Sequence, residues 1–437
     1  MALSAMDDNG HPVDWWVMYK VAGKSTTSTG ARGPKLGGNK VTGVEYIYFD
    51  ANAPSTGKLV LSSNTVDLGG ALPSTLQQIY AAANKELGWF FYNDENPING
   101  KVNGDRGHAK GVLAFDLSTN TAFWLIQSTP KFAPKGKYVF PRTGTSNAQT
   151  FLCITLESAD VAQSIAKQMY VAQQPNVYLA SDIPASLAGA PNDARVKLMQ
   201  DQVASGNTPV HVVIPFNSKG GMKFMSIAKN KTWGLDFYND LVGPTLHENL
   251  DVETWEHDPV PPSADSDKQH TVVDMKAVNL QALGIDLAWP EADDHAKLAI
   301  SAKSEELHYI CIGDLNYTIA QRKRGGGTVA FQCEPLWASI SSILEGVSKF
   351  PDTTPGTSSS KTAPKTKAKT KTKTTTTKAT TKPKTTTAKK PTSGGKAAAT
   401  ATKHTAAGHT AARTARRAGT TRKTSAAGTP TTRRTQP

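Results

Sequence analysis

Two identical tripeptides, His108-Ala109-Lys110 and His295-Ala296-Lys297, stand 187 residues apart. Each opens an apolar run, Gly111-Val112-Leu113-Ala114-Phe115 in the first case and Leu298-Ala299-Ile300-Ser301 in the second. On a β-strand, side chains at i and i+2 point to the same face. Imidazole and ammonium then project together, while the alanine between them points the other way. Such a pair suits a phosphate diester: the lysine neutralises a non-bridging oxygen, and the histidine serves as nucleophile or proton donor. Cleavage needs two histidine roles, one attacking phosphorus and one protonating the departing oxygen, and two such units face to face supply both. With ten histidines in a lysine-rich chain, about one His-x-Lys arises by chance. Spacing alone therefore leaves two readings open, a shared site or two solvated loop histidines.

The elements that must position these residues read as mixed α/β, with sheets covered by helices. Val44 to Phe49 has β-rich alternation, and the run Pro209 to Pro215, bounded by prolines, reads as a short buried strand. Helical periods run over Leu76 to Leu87, Val161 to Gln173 and Leu336 to Leu344. The Gly/Pro/Asp-rich stretches around 183–193 and 257–268 read as loops. The repeated His-Ala-Lys suggests two related lobes, each opening a strand with one motif. We place lobe one at about 10–155 and lobe two at about 156–348, within a body spanning 1–350. Cys153, Cys311 and Cys333 fit no zinc spacing and are too few for a disulfide framework. A Cys311–Cys333 bridge and three buried thiols are the two readings, with thiols the expectation.

The overall charge of +13 is unevenly distributed. Residues 351–437 hold 14 Lys and 6 Arg against one acid, Asp352, a net +19, whereas residues 1–350 have 29 basic and 35 acidic residues, a net −6. No Leu, Ile, Val, Trp, Tyr or Met follows Phe350, so the Lys/Thr/Ala-rich tail has nothing to bury and is expected to be disordered. Its Lys365-Thr366-Lys367-Ala368-Lys369-Thr370-Lys371 run suits a non-specific tether to nucleic acid, through phosphate contacts and counterion release. No apolar stretch is long enough for a membrane span. Met1 to Asn9 lack the basic start and apolar run of a signal peptide, which fits secreted, periplasmic, cytoplasmic and lysosome-like settings alike.

Other motifs fail. Gly23-Lys24-Ser25 has Met18 where a P-loop needs its upstream glycine, and His247-Glu248 lacks the second histidine of a zinc protease. Asp293-Asp294-His295 has metal-ligand types, but the adjacent lysine repels a cation.

Longer segments carry a resemblance. They run from Gly10-His11-Pro12-Val13-Asp14-Trp15-Trp16-Val17-Met18-Tyr19-Lys20 through Arg106 to Val112, Phe123 to Pro130, Ala148 to Cys153, Glu291 to Lys297 and Cys311 to Asn316, and end with Arg324 to Thr328. Together they resemble the deoxyribonuclease II family, a branch of the phospholipase D-like phosphodiesterases. The resemblance implies an α/β fold of two phospholipase D-like lobes forming a pseudo-dimer. It also implies a metal-independent endonuclease that needs no cofactor and cuts double-stranded DNA to 3′-phosphate and 5′-hydroxyl ends, with an acidic optimum. His108, Lys110, His295 and Lys297 match the family's two motifs. By the same likeness Asp314 and Asn316, after the second motif, and Ser128, in the corresponding place of the first lobe, supply polar groups to the phosphate site. Asp116 is a candidate to orient an imidazole, although it stands one residue further from Lys110 than in the usual pattern. Analogy makes His108 the nucleophile. A homodimer is one way to complete a clamp around duplex DNA.

The sequence departs from the family at Gln127, where many members have histidine, at Leu298, where a tryptophan often follows the lysine, and in lacking most cysteines of the animal relatives. Two alternatives accompany this reading: a non-catalytic DNA-binding or compacting protein with a histone-like tail, and a phospholipase D-like lipid phosphodiesterase. The tail reading generates a prediction. Truncation after Phe350 is expected to weaken DNA affinity and flatten its salt dependence while leaving the cleavage chemistry intact. Binding titrations across a salt series check it, and unchanged affinity and slope would remove the tether.

Overall fold

The chain becomes two sheets because its apolar runs are β-branched and aromatic, short, and interrupted by turn residues. The computed structural model describes residues 2–80, 84–255, 259–261 and 269–346. The tail, 351–437, and most of the 257–268 loop lie outside the described residues. The first sheet contains β1 (Trp15–Lys20), β2 (Tyr46–Asp50), β3 (Val60–Leu61), β4 (Leu87–Asn93), β5 (Lys110–Asp116), β6 (Thr121–Gln127), β7 (Gln149–Leu156) and β8 (Val177–Ala180). Its order is β8-β4-β5-β6-β7-β1-β2-β3. The second contains β9 (His211–Asn217), β10 (Lys223–Lys229), β11 (Leu250–Thr254), β12 (Val272–Asp274), β13 (Lys297–Ser301), β14 (Tyr309–Gly313) and β15 (Gly326–Gln332), in the order β9-β10-β15-β14-β13-β11-β12. Helices α1 (Ala71–Tyr80), α2 (Ala159–Gln168), α3 (Ala194–Met199) and α4 (Glu334–Ile343) complete the main elements. The expected mixed α/β class is what is observed.

The two motif-bearing hairpins occupy equivalent places. β5-β6-β7 and β13-β14-β15 are each three consecutive antiparallel neighbours. β4 flanks the first set as β11 flanks the second, and β1 and β10 close the other sides. Connectivity differs beyond that point, since β2 follows β1 in the chain whereas β9 precedes β10.

Every residue of β5 and β6 is buried, which requires cover on both faces. On β5, Val112 and Ala114 join Leu72, Leu76 and Ile79 of α1 in an outer core, while Leu113 and Phe115 point into a larger core. That larger core is shared, because it also takes Ile300, Ile310 and Val329 from the second sheet together with α2 and α4. A row of rings crosses it. Trp15 lies 5.5 Å from Phe331, Phe331 lies 5.1 Å from Phe224, Phe224 stacks on Phe216 at 5.5 Å, and Phe216 meets Trp124 at 6.2 Å. A third cluster, with Phe237, Tyr238 and Leu246, covers the far side of the second sheet.

Three expectations shift. The helix expected over Leu76–Leu87 lies at Ala71–Tyr80, because Leu87 opens the aromatic run of β4, whose strand preference dominates. The run Pro209–Pro215 does form a strand, but β9 is a largely exposed edge rather than a buried strand, where Pro215 costs no ladder bond. The first sheet does not end near 155, since the chain returns to it at β8. All three cysteines are free thiols. No helix among the described residues is long and apolar enough to cross a membrane.

Trp124 fills the shared core, and its indole N–H donates to the Tyr92 hydroxyl at 2.9 Å. Trp124→Ala is expected to lower stability by roughly 3–5 kcal/mol, measured by urea denaturation. A loss below about 1 kcal/mol would mean that the sheets do not depend on this core.

Candidate active site

Each motif lies at the start of a central strand, with Lys110 as the first residue of β5 and Lys297 as the first of β13. The strand that follows each motif ends beside the other. β6 ends at Gln127 and is followed by Ser128, and β14 ends at Gly313 and is followed by Asp314. Two crossed hydrogen bonds result. His108 Nδ1 lies 2.6 Å from the Asp314 carbonyl oxygen, and His295 Nδ1 lies 2.9 Å from that of Ser128. The main chain crosses in the same way: His108 N–H donates to Gly325 O at 2.8 Å and His295 N–H to Ala148 O at 2.9 Å. Each histidine is therefore held by the sheet to which it does not belong.

A carbonyl oxygen only accepts, so Nδ1 of each ring carries the hydrogen, and the lone pair of the neutral imidazole sits on Nε2. His108 and His295 are 9% and 4% exposed, and Lys110 and Lys297 are almost completely enclosed. Burial, then Lys110, pushes the His108 imidazole down to about 3, with Asp94 opposing and Lys297 and Arg324 adding to the shift. His295 is pushed well below its ordinary range by burial, then by Lys297, Lys110 and His108. Each ring thus feels the other motif's lysine, as one shared site requires. Lys297 is itself lowered, by burial and then by Lys110. Its Nζ donates to His295 O at 2.7 Å and Ala296 O at 3.1 Å.

Strand register makes the two halves comparable and exposes their asymmetry. Asn93 pairs with Lys110 and Thr254 with Lys297, so Asp94 and Trp255 occupy equivalent positions. Asp94 forms an ion pair with Lys110 and accepts from Arg324 Nη2 at 2.9 Å. Although burial opposes it, Lys110, with help from His108 and Arg324, holds this carboxyl well below the usual range. Trp255 instead lays its ring 4.7 Å from that of His295.

Beside the second motif, Asp294 is fully buried. It accepts from the Tyr19 hydroxyl, from Trp289 Nε1 at 2.7 Å and from Ala296 N at 2.8 Å. Glu253 shares this pocket, and neither of its carboxyl oxygens has a partner among the described residues. Burial, then repulsion from Asp294, raises it well above the carboxylate range; burial raises Asp294 too, while Tyr19, Trp289 and the Ala296 amide favour its charged form. Asp294 therefore serves as an anchor for the turn into His295.

The supporting residues separate. Ser128 and Asp314 reach the site through their carbonyls. The Ser128 hydroxyl is occupied by Gln149 Oε1 at 2.7 Å and Thr150 N at 3.0 Å. Asp314 Oδ2 accepts from Gly327 N at 3.0 Å, while Oδ1 has no partner among the described residues. Burial pushes its carboxyl up to about 7. Asn316 is buried, and its Oδ1 likewise lacks a described partner. Asp116 does not join the site. It ends β5, about 20 Å along the strand from Lys110, and its carboxylate caps the following turn through Ser118 N at 2.8 Å and Asn84 Nδ2 at 2.8 Å. The Gln127 side chain accepts from Thr129 N within its own turn. Sequence reasoning missed Asp94 and Trp255, whose only signal was the end of an apolar strand.

Comparison with known proteins places the chain in a family. Residues 4–350 match the family model described as Deoxyribonuclease II. The chain is 38% identical over 343 residues to a putative deoxyribonuclease-2 of Burkholderia pseudomallei (strain 1710b), covering 78% of this chain and 92% of that protein. It is 31% identical over 370 residues to deoxyribonuclease-2 of Caenorhabditis elegans, covering 78% and 92%. To deoxyribonuclease-2-alpha of Mus musculus it is 29% identical over 350 residues, covering 79% and 92%.

The buried neutral imidazoles set a pH dependence. His108 is lowered from an unfolded value of about 6.5, so its contribution to stability is full above that pH and is lost as pH falls towards 3. Acidification from pH ~7 to ~5 is therefore expected to lower the Tm of the wild type more than that of His108→Gln. An equal drop in both would show that this ring is not desolvated.

Proposed function

As a member of the deoxyribonuclease II family this chain is a deoxyribonuclease, and we propose that it cuts double-stranded DNA through a phosphohistidine formed between its two His-x-Lys units, without a metal. The observation that carries this reading is the crossed pair of hydrogen bonds, His108 Nδ1 to Asp314 O and His295 Nδ1 to Ser128 O. With both Nδ1 atoms so engaged, the proposed reaction uses one Nε2 from each half on a single phosphate. One Nε2 attacks phosphorus in line. The P–O5′ bond breaks, and the other imidazolium gives its Nε2 proton to the departing oxygen. Water then attacks the phosphohistidine and passes its proton to the second histidine, and the P–N bond breaks. The products carry a 3′-phosphate and a 5′-hydroxyl. Lys110, Lys297 and Arg324 meet the charge on the non-bridging oxygens, the electrostatic role that a metal takes elsewhere.

Analogy made His108 the nucleophile, but the surroundings favour the reverse. The attacking ring must be neutral, and His295 faces the uncharged Trp255 ring where His108 has a carboxylate nearby. The acid must carry a proton, and Asp94 favours the charged form of His108. Burial and the lysines depress both rings, and an arriving phosphate supplies the negative charge that lets one of them protonate. Cleavage is therefore favoured by acid. Asp314 and Asn316, each with a side-chain oxygen that has no partner among the described residues, complete the polar wall. The tail acts as a non-specific tether, and a second copy of the chain completes a clamp around the duplex.

His108→Ala and His295→Ala are each expected to lower kcat on plasmid DNA by at least about 10³-fold. Wild-type cutting at acidic pH is expected to persist in EDTA, with end-group analysis giving 3′-phosphates. Loss of cutting on chelation, or 5′-phosphate products, would remove this mechanism.

A further inference from the structure

Two lysines that belong to neither motif are fully enclosed, Lys20 at the end of β1 and Lys229 at the end of β10. Each spends its three ammonium hydrogens on main-chain carbonyls. Lys20 Nζ donates to Val21 O at 2.8 Å, Gly43 O at 2.9 Å and Asn147 O at 2.7 Å. Lys229 Nζ donates to Gln321 O at 3.0 Å, Arg322 O at 3.2 Å and Arg324 O at 2.6 Å. The peptide next to each clamped carbonyl is the one that receives a histidine from the other sheet, Ala148 O from His295 N–H and Gly325 O from His108 N–H. The register is the same in both halves. Gln149 pairs with Lys20 and Gly326 with Lys229, so the receiving peptide stands one residue before the lysine's partner and the clamped carbonyl two.

We infer that Lys20 and Lys229 are a matched pair of positioning residues, Lys20 setting the place of His295 and Lys229 that of His108. This inference rests on the reading of both histidines as catalytic. Burying an ammonium is costly unless every donor is satisfied, and here that satisfaction goes to the two turns that carry the crossed contacts. Gly325 tightens the second turn, since a Cβ there would stand 2.5 Å from Gln173 O. The cost of burial is visible in the lysines themselves. Burial pushes Lys20 down to about 7 against the pull of Asp294 and Glu45. It pushes Lys229 down to about 8 against Asp236, with Arg324 adding to the fall. Acidic conditions keep both clamps charged, which is also where the proposed chemistry runs.

A merely structural role and a positioning role differ in which histidine's chemistry fails. First-turnover rates are measured for His108→Ala, His295→Ala, Lys20→Met and Lys229→Met on DNA and on bis(p-nitrophenyl) phosphate, whose leaving group needs no proton. The variant lacking the acid recovers on the activated substrate, and the variant lacking the nucleophile does not. Each lysine variant is expected to lose on the order of 10- to 100-fold in kcat on DNA, with KM changed less than about 3-fold. Lys20→Met should follow the substrate pattern of His295→Ala, and Lys229→Met that of His108→Ala, whichever histidine proves to be the acid. Lys20→Gln and Lys229→Gln keep two of the three donors. They should retain more activity than the methionine variants, and they replace them in the comparison where a methionine variant does not fold. Lysine variants that keep wild-type rates, share one substrate pattern between them, or follow the wrong histidine overturn the inference while leaving the catalytic reading in place. Histidine variants that keep full activity overturn both.

Discussion

The molecule depends on an exchange between its two sheets. Each sheet carries one imidazole that it does not hold, and each holds the imidazole of the other through a ring-to-carbonyl bond and a main-chain bond. A histidine at a strand start has free rotation about two side-chain bonds. The carbonyls of Asp314 and Ser128 remove that freedom and fix the tautomer, so the reactive nitrogen is the same on both sides. The aromatic row from Trp15 to Trp124 through the shared core keeps the sheets at the separation these bonds require. Packing and chemistry are thus a single constraint, since a shift of one sheet against the other breaks the core contacts and the crossed bonds together.

The electrostatics follow from that enclosure. Two ammonium groups and two imidazoles sit out of water beside a partly buried Arg324, which favours the neutral rings and weakens Lys297. The counter-charge is placed with care. Asp94 faces Lys110 and Arg324, while Asp294 is tied down by Tyr19, Trp289 and the Ala296 amide. In the proposed mechanism a diester brings the negative charge that offsets these cations, and the same groups that depress the imidazoles bind it. Binding and protonation are coupled in that mechanism, and acid favours the reaction without any need for an intrinsically acidic side chain.

Some of this was legible in the sequence. The two His-Ala-Lys units were visible because an i, i+2 spacing at the head of an apolar run has a direct meaning on a strand. The positions after the next strand, Ser128 and Asp314, were also visible as sources of polar groups, but not the hold that their carbonyls take on the two imidazoles. Asp94, Trp255, Lys20 and Lys229 were hidden because each comes from a neighbouring strand, and strand register is written in pairings, not in local spacing. Asp116 misled for the opposite reason. It was close in sequence to the motif, but a seven-residue strand carries its side chain to the far end of the sheet. The exposed edge β9 and the displaced α1 show the same limit, since an apolar run does not say which of its flanks will be covered.

The duplication also explains why the site can be both symmetric and directional. Positions equivalent by register carry equivalent groups where geometry is at stake: histidine against histidine, motif lysine against motif lysine, and Lys20 against Lys229. They diverge where charge is at stake, with Asp94 on one side and Trp255 on the other. A carboxylate near one imidazole and an indole against the other make the two rings unequal before any substrate arrives. Two identical histidines would compete for the same proton, whereas two unequal ones divide the work of attack and protonation between them. In the proposed mechanism the asymmetry at this one register position is what gives a repeated motif a reaction with a direction.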